Sequence, residues 1–184
     1  MEQHKDVTLL APLVHNPDGT IQQSLRTFPT FRTLFFELSG LSRVFPSSKI
    51  LNEWRMPDFD YKTIADVDQP MGAALFVRKG FFSDTFIDEQ FSMFFNDVDL
   101  CKRIKKEGGK ILFYPDASII HERGKSTARV KERMIPLHTK GFIQYFAKHN
   151  RSFFDTLLLT FFVPIILLHT MLRVFLFRFF SKDF

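Results

Sequence analysis

Three residues have the types and spacing that could do chemistry in this chain: Asp97, Asp99 and His121. The aspartates lie in FSMFFNDVDLCKR (91–103), between an aromatic run and a cationic stretch. An ionised carboxylate in a cleft can take a proton from an attacking hydroxyl, which is general-base catalysis. Residues two apart on a helix point roughly 200° apart, so these two cannot act as an acid and base pair on one substrate. One can face a cleft while the other caps the helix or pairs with a cation. Asp97 directly follows the aromatic run and is the cleft candidate; Asp99 is the structural one. A place in the first helical turn should keep Asp97 ionised through the helix dipole. A plainer reading, with both aspartates as caps, fits the same stretch. His121 ends an apolar run and precedes Glu122-Arg123-Gly124-Lys125. In that place it could ligate a divalent metal, bond a phosphate or serve structure alone.

The elements that must position these residues follow from pattern. Residues 7–14, VTLLAPLV, are a short apolar run expected as a buried strand. Asn16-Pro17-Asp18-Gly19 is turn chemistry, and 21–27 reads as a second extended piece. Residues 30–44 place Phe31, Leu34, Phe35, Leu38 and Leu41 on one side of a helix ended by Pro46. That helix either packs on the core or lies on a membrane. Residues 49–67 read as a long loop. In QPMGAALFV (69–77), Pro70 opens the segment and 75–77 is strand-like. Between them Gly72, Ala73 and Ala74 keep the backbone thin, which lets a ligand or another chain approach or simply packs a core strand. Residues 78–90 form a turn-rich connection. Asn96 is placed to cap a helix over 96–107, with Gly108 just past its end. A strand over 110–114 stopped by Pro115 should follow, then a short extended run over 117–120 and a polar loop over 123–127. Helices are expected over 128–133 and 137–149, separated by Pro136. Residues 156–172 hold no formally charged side chain, a stretch at the lower edge of a membrane span and kinked by Pro164. A kinked interfacial helix pair, a marginal span and a helix buried in a partner all fit; membrane association is the expectation.

Composition narrows the partners. The chain of 184 residues is long enough for one domain with a substantial core. Of its 25 Phe, five lie in 28–45 and nine in 153–184, crowding that suits lipid or a deep groove. The net charge of +5 fits either an anionic partner or solvated helix faces. No groove-reading motif accompanies it, so nucleic acid is not an expected partner. The single cysteine, Cys101, rules out an intramolecular disulfide and reads as a packed core thiol. Residues 1–6 are polar with no signal-like apolar run after them, so the chain is expected to start in the cytosol.

The block GAALFVRKGFF…FIDEQFSMFFNDVDLCKRIKKEGGKILFYPDASIIHERGKST, with APLVHNPDGTIQQSLRTFPT upstream, resembles the C-terminal, acceptor-side half of family 2 glycosyltransferases. The likeness is to rhamnosyltransferase-like members that build bacterial surface polysaccharides, and it covers roughly residues 7–127. The resemblance implies an α/β fold, part of a GT-A-type mixed sheet with flanking helices, over residues 1–150. An apolar, membrane-associating helical tail over 151–184 would follow. It implies inverting transfer from a nucleotide-sugar to a saccharide or lipid-linked acceptor, with rhamnose a candidate sugar. Asp97 takes the position of the general base, and His121 that of a metal or diphosphate contact. Gly72, Ala73 and Ala74 would line the floor near donor and acceptor, and Asp88 and Glu89 would lie by the acceptor. Arg103 and Lys125 would be charge partners. The complete family domain uses Mg²⁺ or Mn²⁺ on the diphosphate.

Two departures from the family pattern stand out. The usual Glu before the base is Asn96 here, which makes the surroundings of the base less negative. The nucleotide-binding half with its Asp-x-Asp is not in these residues; Asp58-Phe59-Asp60 and Asp66-Val67-Asp68 lie downstream of its place and read as coincidence. The expectation is therefore a truncated or split transferase on the cytoplasmic side of a membrane, completed by a separate nucleotide-binding half. The alternative is a non-catalytic, membrane-associated remnant or assembly subunit.

Overall fold

The structure, a computed structural model, describes all of the chain except residues 3, 83–85, 126–129 and 181–184, and the side chains of Lys131 and Phe180. The protein is mixed α/β. The chain divides into two compact units, Met1–Asp88 with Asp97–Arg123, and Glu89–Asn96 with Gly124–Phe184. The line expected at residue 150 marks where apolar composition begins, a different property from compact packing.

The first unit is built on a mixed four-stranded sheet. Its centre is a parallel pair, β1 (Val7–His15) and β6 (Lys110–Ile120). β3 (Ala65–Asp66) runs antiparallel beside β6, and β5 (Phe76–Val77) antiparallel beside β1. β2 (Leu25–Arg26) and β4 (Gln69–Pro70) form a separate two-stranded ladder. A parallel pair needs a long crossover and apolar strands, and both hold here: Val7, Leu9, Ile111 and Phe113 are fully buried. α3 (Asn96–Lys106) lies in that crossover and adds Leu100, Cys101 and Ile104 to the same core. Phe59, Tyr61 and Phe113 meet edge-on at 5.1–5.6 Å, tying the long loop to the sheet. That loop is not featureless: Glu53–Arg55 makes a 3-10 turn and β3 pairs within it.

Prolines and glycines moved several boundaries. β6 continues through Pro115 because the ladder slips there: Pro12 pairs with Tyr114, and the next residue, Leu13, pairs with Ser118. Residues 115–117 bulge out of register, and a proline at a bulge leaves no ladder donor unpaired. The helix expected over 30–44 is two, α1 (Phe31–Leu38) and α2 (Leu41–Val44), split where Gly40 adopts φ +75°. Thr30 caps α1 through a reciprocal bond with Thr33. The segment 69–77 is two short strands in different sheets, joined by a turn over Gly72 and Ala73.

In the second unit α4 (Lys131–His149) runs unbroken past Pro136, and α5 (Phe153–Phe180) past Pro164. Each proline removes one helix hydrogen bond without ending the helix. The beginning of the helix expected at 128 lies outside the described residues. α4 and α5 are antiparallel neighbours: Thr139 Oγ1 and Thr170 Oγ1 are 2.7 Å apart, and Arg178 pairs with Glu132. Phe95 packs on Phe142 and Tyr145 of α4.

Candidate active site around Asp97

α3 begins at Asn96 as its first helical residue, not as the cap. Phe95 just before it has φ +68°. A bulky residue in this left-handed region costs on the order of 1–3 kcal/mol and persists only where packing enforces it. The rings of His138, Phe142 and Tyr145, 5.2–5.8 Å from that of Phe95, supply the packing. The sequence marks no such backbone at Phe95, since only glycine and asparagine advertise it.

The two aspartates separate as helical geometry requires. Asp99 is completely buried and forms a 2.9 Å ion pair with Arg103 one turn on. Arg103 also donates to the Phe86 carbonyl at 2.6 Å and stacks 4.7 Å from the Phe82 ring centre. Its charge thus pairs with the structural aspartate. Asp97 is part-buried on another side of the helix. Its Oδ2 accepts the backbone N–H of Gly72 at 2.9 Å, and its Oδ1 accepts the N–H of Val98 at 2.9 Å.

Gly72 explains why the segment before β5 must be thin. A Cβ there would lie 3.2 Å from both Cβ and Oδ2 of Asp97. The absent side chain is what lets a main-chain donor reach the carboxylate. Ala73 and Ala74 continue the same turn, both part-buried.

Burial pushes the Asp97 carboxyl above the ordinary carboxylate value, against the lowering by the Gly72 and Val98 N–H groups. The helix dipole alone would give the opposite direction. Desolvation of the charged form outweighs it. A raised value makes the carboxylate a stronger base. Cys101, one turn along, is fully buried, and burial pushes its thiol up, so it is a core residue and no nucleophile.

His121 follows directly on β6, with its main-chain N–H bonded to the His15 carbonyl at 2.9 Å. Its Nδ1 lies 2.9 Å from Oε1 of Gln22, a residue that is 3% exposed. The neighbours fix the direction of this bond. Gln22 Nε2 donates to the His121 carbonyl at 3.1 Å and to Asn16 Oδ1 at 2.7 Å. Asn16 Nδ2 donates to the Thr20 hydroxyl at 2.9 Å, and that hydroxyl donates to Asp18. With its amide so oriented, Gln22 presents oxygen to the ring, and Nδ1 carries the proton. Nε2 is then left with its lone pair, the form that suits a metal or a proton donor. Gln22 was missed in the sequence because 99 residues separate it from His121.

Among the described residues no group of three or more His, Cys, Asp or Glu is placed to hold a metal ion. One imidazole nitrogen fits a single ligand and not a site. The two Asp-x-Asp pairs have other engagements: Asp58 pairs with Lys49, Asp60 caps the Lys62 N–H, and Asp66 pairs with Lys105. Asp88 is part-buried in the first unit; Glu89 and Lys125 are exposed residues of the second.

No family model matches the chain, and no solved structure does. The chain is similar to N-acetylglucosaminyl-diphospho-decaprenol L-rhamnosyltransferase of Mycobacterium tuberculosis, in strains CDC 1551 / Oshkosh and ATCC 25618 / H37Rv. Identity with each is 27% over an alignment of 136 positions that covers 71% of this chain and 42% of the relative. The chain thus spans about two fifths of the length of the curated relatives it matches.

Proposed function

We propose that this chain is the acceptor-side half of an inverting glycosyltransferase of family 2 type, on a GT-A-type fold, with Asp97 as general base. The observation that carries the reading is the Asp97 carboxylate at the start of α3, its base strength raised by burial and its Oδ2 fixed by the Gly72 N–H at 2.9 Å. The similarity to a rhamnosyltransferase supports the same class and makes a deoxyhexose the first donor sugar to test.

In this mechanism the acceptor hydroxyl gives its proton to Asp97 as its oxygen bonds to the anomeric carbon. The bond from that carbon to the nucleotide diphosphate breaks in the same displacement, and the diphosphate leaves with the electron pair. Asp97 acts by being held: two N–H bonds fix the carboxylate, and fixed geometry is worth more to the rate than base strength alone. A divalent cation, Mg²⁺ or Mn²⁺, would neutralise the departing diphosphate, and His121 Nε2 would be one ligand. Gly72, Ala73 and Ala74 would form the floor, and Asp88 would meet the acceptor. Arg103 acts on the site only through Asp99 and the seating of α3.

The donor is a nucleotide-sugar and the acceptor a saccharide or lipid-linked saccharide, met at the cytoplasmic side of a membrane. The donor also needs a nucleotide-binding half, which no part of these 184 residues supplies in this reading. The test is complementation. The chain is assayed for transfer from a panel of nucleotide-sugars to a lipid-linked acceptor, with and without a separately expressed nucleotide-binding half of a rhamnosyltransferase. Transfer only in the mixture is expected. Binding of neither donor nor acceptor in any mixture would instead favour a non-catalytic membrane subunit.

A further inference from the structure

We infer that α5 lies in the plane of an anionic bilayer surface, with α4 on its water side, instead of crossing the membrane. This rests on the proposed membrane site of action and specifies its mode. Phe153–Phe179 is long and apolar enough to cross. Its surroundings argue otherwise. The Thr139–Thr170 contact and the Glu132–Arg178 pair lay α4 antiparallel along the C-terminal two-thirds of α5. A crossing α5 would carry α4 into hydrocarbon beside it, with Glu132, Arg133, Lys140 and Lys148. Charged side chains at that depth are strongly disfavoured.

Three of the four charged or titratable residues of α5 lie on its protein side, and Arg178, off that side by helical spacing, is held by Glu132 of α4. Phe162, Ile166 and Thr170 are its buried stripe, and by helical spacing Asp155, His169 and Arg173 lie on that same side. The opposite side carries Leu157, Phe161, Leu168, Met171, Phe175 and Phe179, each 53–69% exposed. An apolar face below and a face above covered by α4, which carries the charges on the water side, fits a helix lying at the interface.

Charge identifies the kind of surface. Residues 1–130 hold 17 Lys or Arg and 17 Asp or Glu, so the entire net charge of +5 lies in residues 131–184. A cationic hairpin with an apolar underside is complementary to acidic lipid headgroups, not to a neutral protein groove.

The full chain, singly spin-labelled at Leu157→Cys, Leu168→Cys or Phe179→Cys, is mixed with vesicles of phosphatidylcholine alone or with added phosphatidylglycerol. The native Cys101 is completely buried, and the unsubstituted chain should take up no label. The two end positions are about 33 Å apart along the helix. Equal, shallow label depths are expected, with binding raised at least about tenfold by the acidic lipid and weakened by salt. A label at Leu168 near the bilayer centre, with the other two at opposite headgroup layers, would overturn the in-plane mode and leave membrane association standing. Equal binding to both vesicle types would overturn the assignment to an anionic surface. A chain that ignores vesicles, or buries α5 against a second copy, would overturn the mode and the membrane reading together.

Discussion

The backbone N–H of Gly72 donates to Oδ2 of Asp97 at 2.9 Å, and a methyl group on Gly72 would come within 3.2 Å of that same oxygen. One residue therefore supplies the donor that orients the carboxylate and, by lacking a side chain, the room for it. Gly72→Ala should push the carboxylate aside, because the clash and the lost hydrogen bond act on the same atom. A misplacement of about 1 Å costs about 10²-fold in rate, and this contact demands only a few tenths of an ångström. The expectation is a fall in kcat/KM smaller than about 10²-fold with an unchanged circular dichroism spectrum, measured in the complemented transfer assay.

Asp97 should also leave a mark on stability. Its folded value is raised by burial, so the folded protein binds more protons than the unfolded chain between the ordinary carboxylate value and the raised one. Any stabilisation from this group is therefore present at acid pH and is lost as pH rises through that window. Asp97→Asn removes the titration. Denaturant unfolding as a function of pH should show a decline for the natural chain above about pH 4, and a flatter curve for the variant. An identical decline in both would assign the pH dependence elsewhere.

Asp99 should matter to stability and not to the chemical step. It is completely buried and paired with Arg103 at 2.9 Å, and removing one member of a buried pair strands the other. Asp99→Ala should lose about 3–5 kcal/mol of unfolding free energy, read by chemical denaturation. Activity per folded molecule should hold at low temperature. A variant as stable as the natural chain would show that this pair is not holding α3 in place.

Gln22 fixes the His121 ring through a 2.9 Å bond to Nδ1. Nitrogen-15 NMR of histidine-labelled protein should find His121 with its proton on Nδ1. Gln22→Leu keeps the volume, removes the acceptor, and should shift that proton towards Nε2. A natural chain already protonated at Nε2 would contradict the assigned network.

Much of the site was legible in the sequence for a geometrical reason. Helical spacing alone separates Asp97 from Asp99, and the structure finds them on a Gly72 amide and an Arg103 guanidinium respectively. β1, the turn after it and α3 with Gly108 at φ +79° follow from local pattern in the same way. What stayed hidden depends on partners distant in sequence. Pro115 reads as a strand end until Pro12 is seen at the same break in register. Pro136 reads as a break between helices, and Pro164 as a kink, because local rules count the lost hydrogen bond and not the packing that sustains the helix. The direction of the Asp97 shift stayed hidden because the dipole is visible in a sequence and burial is not.

The central claim is that Asp97 takes the acceptor proton. It is tested most directly by single-turnover sugar transfer with Asp97→Asn, in the complemented system and at saturating donor and acceptor. The amide keeps the shape and an oxygen for the Gly72 N–H but cannot accept the proton. A loss of about 10²–10⁴-fold in the rate of the chemical step, with donor and acceptor binding retained, is the predicted result. Transfer at the rate of the natural chain would contradict the account.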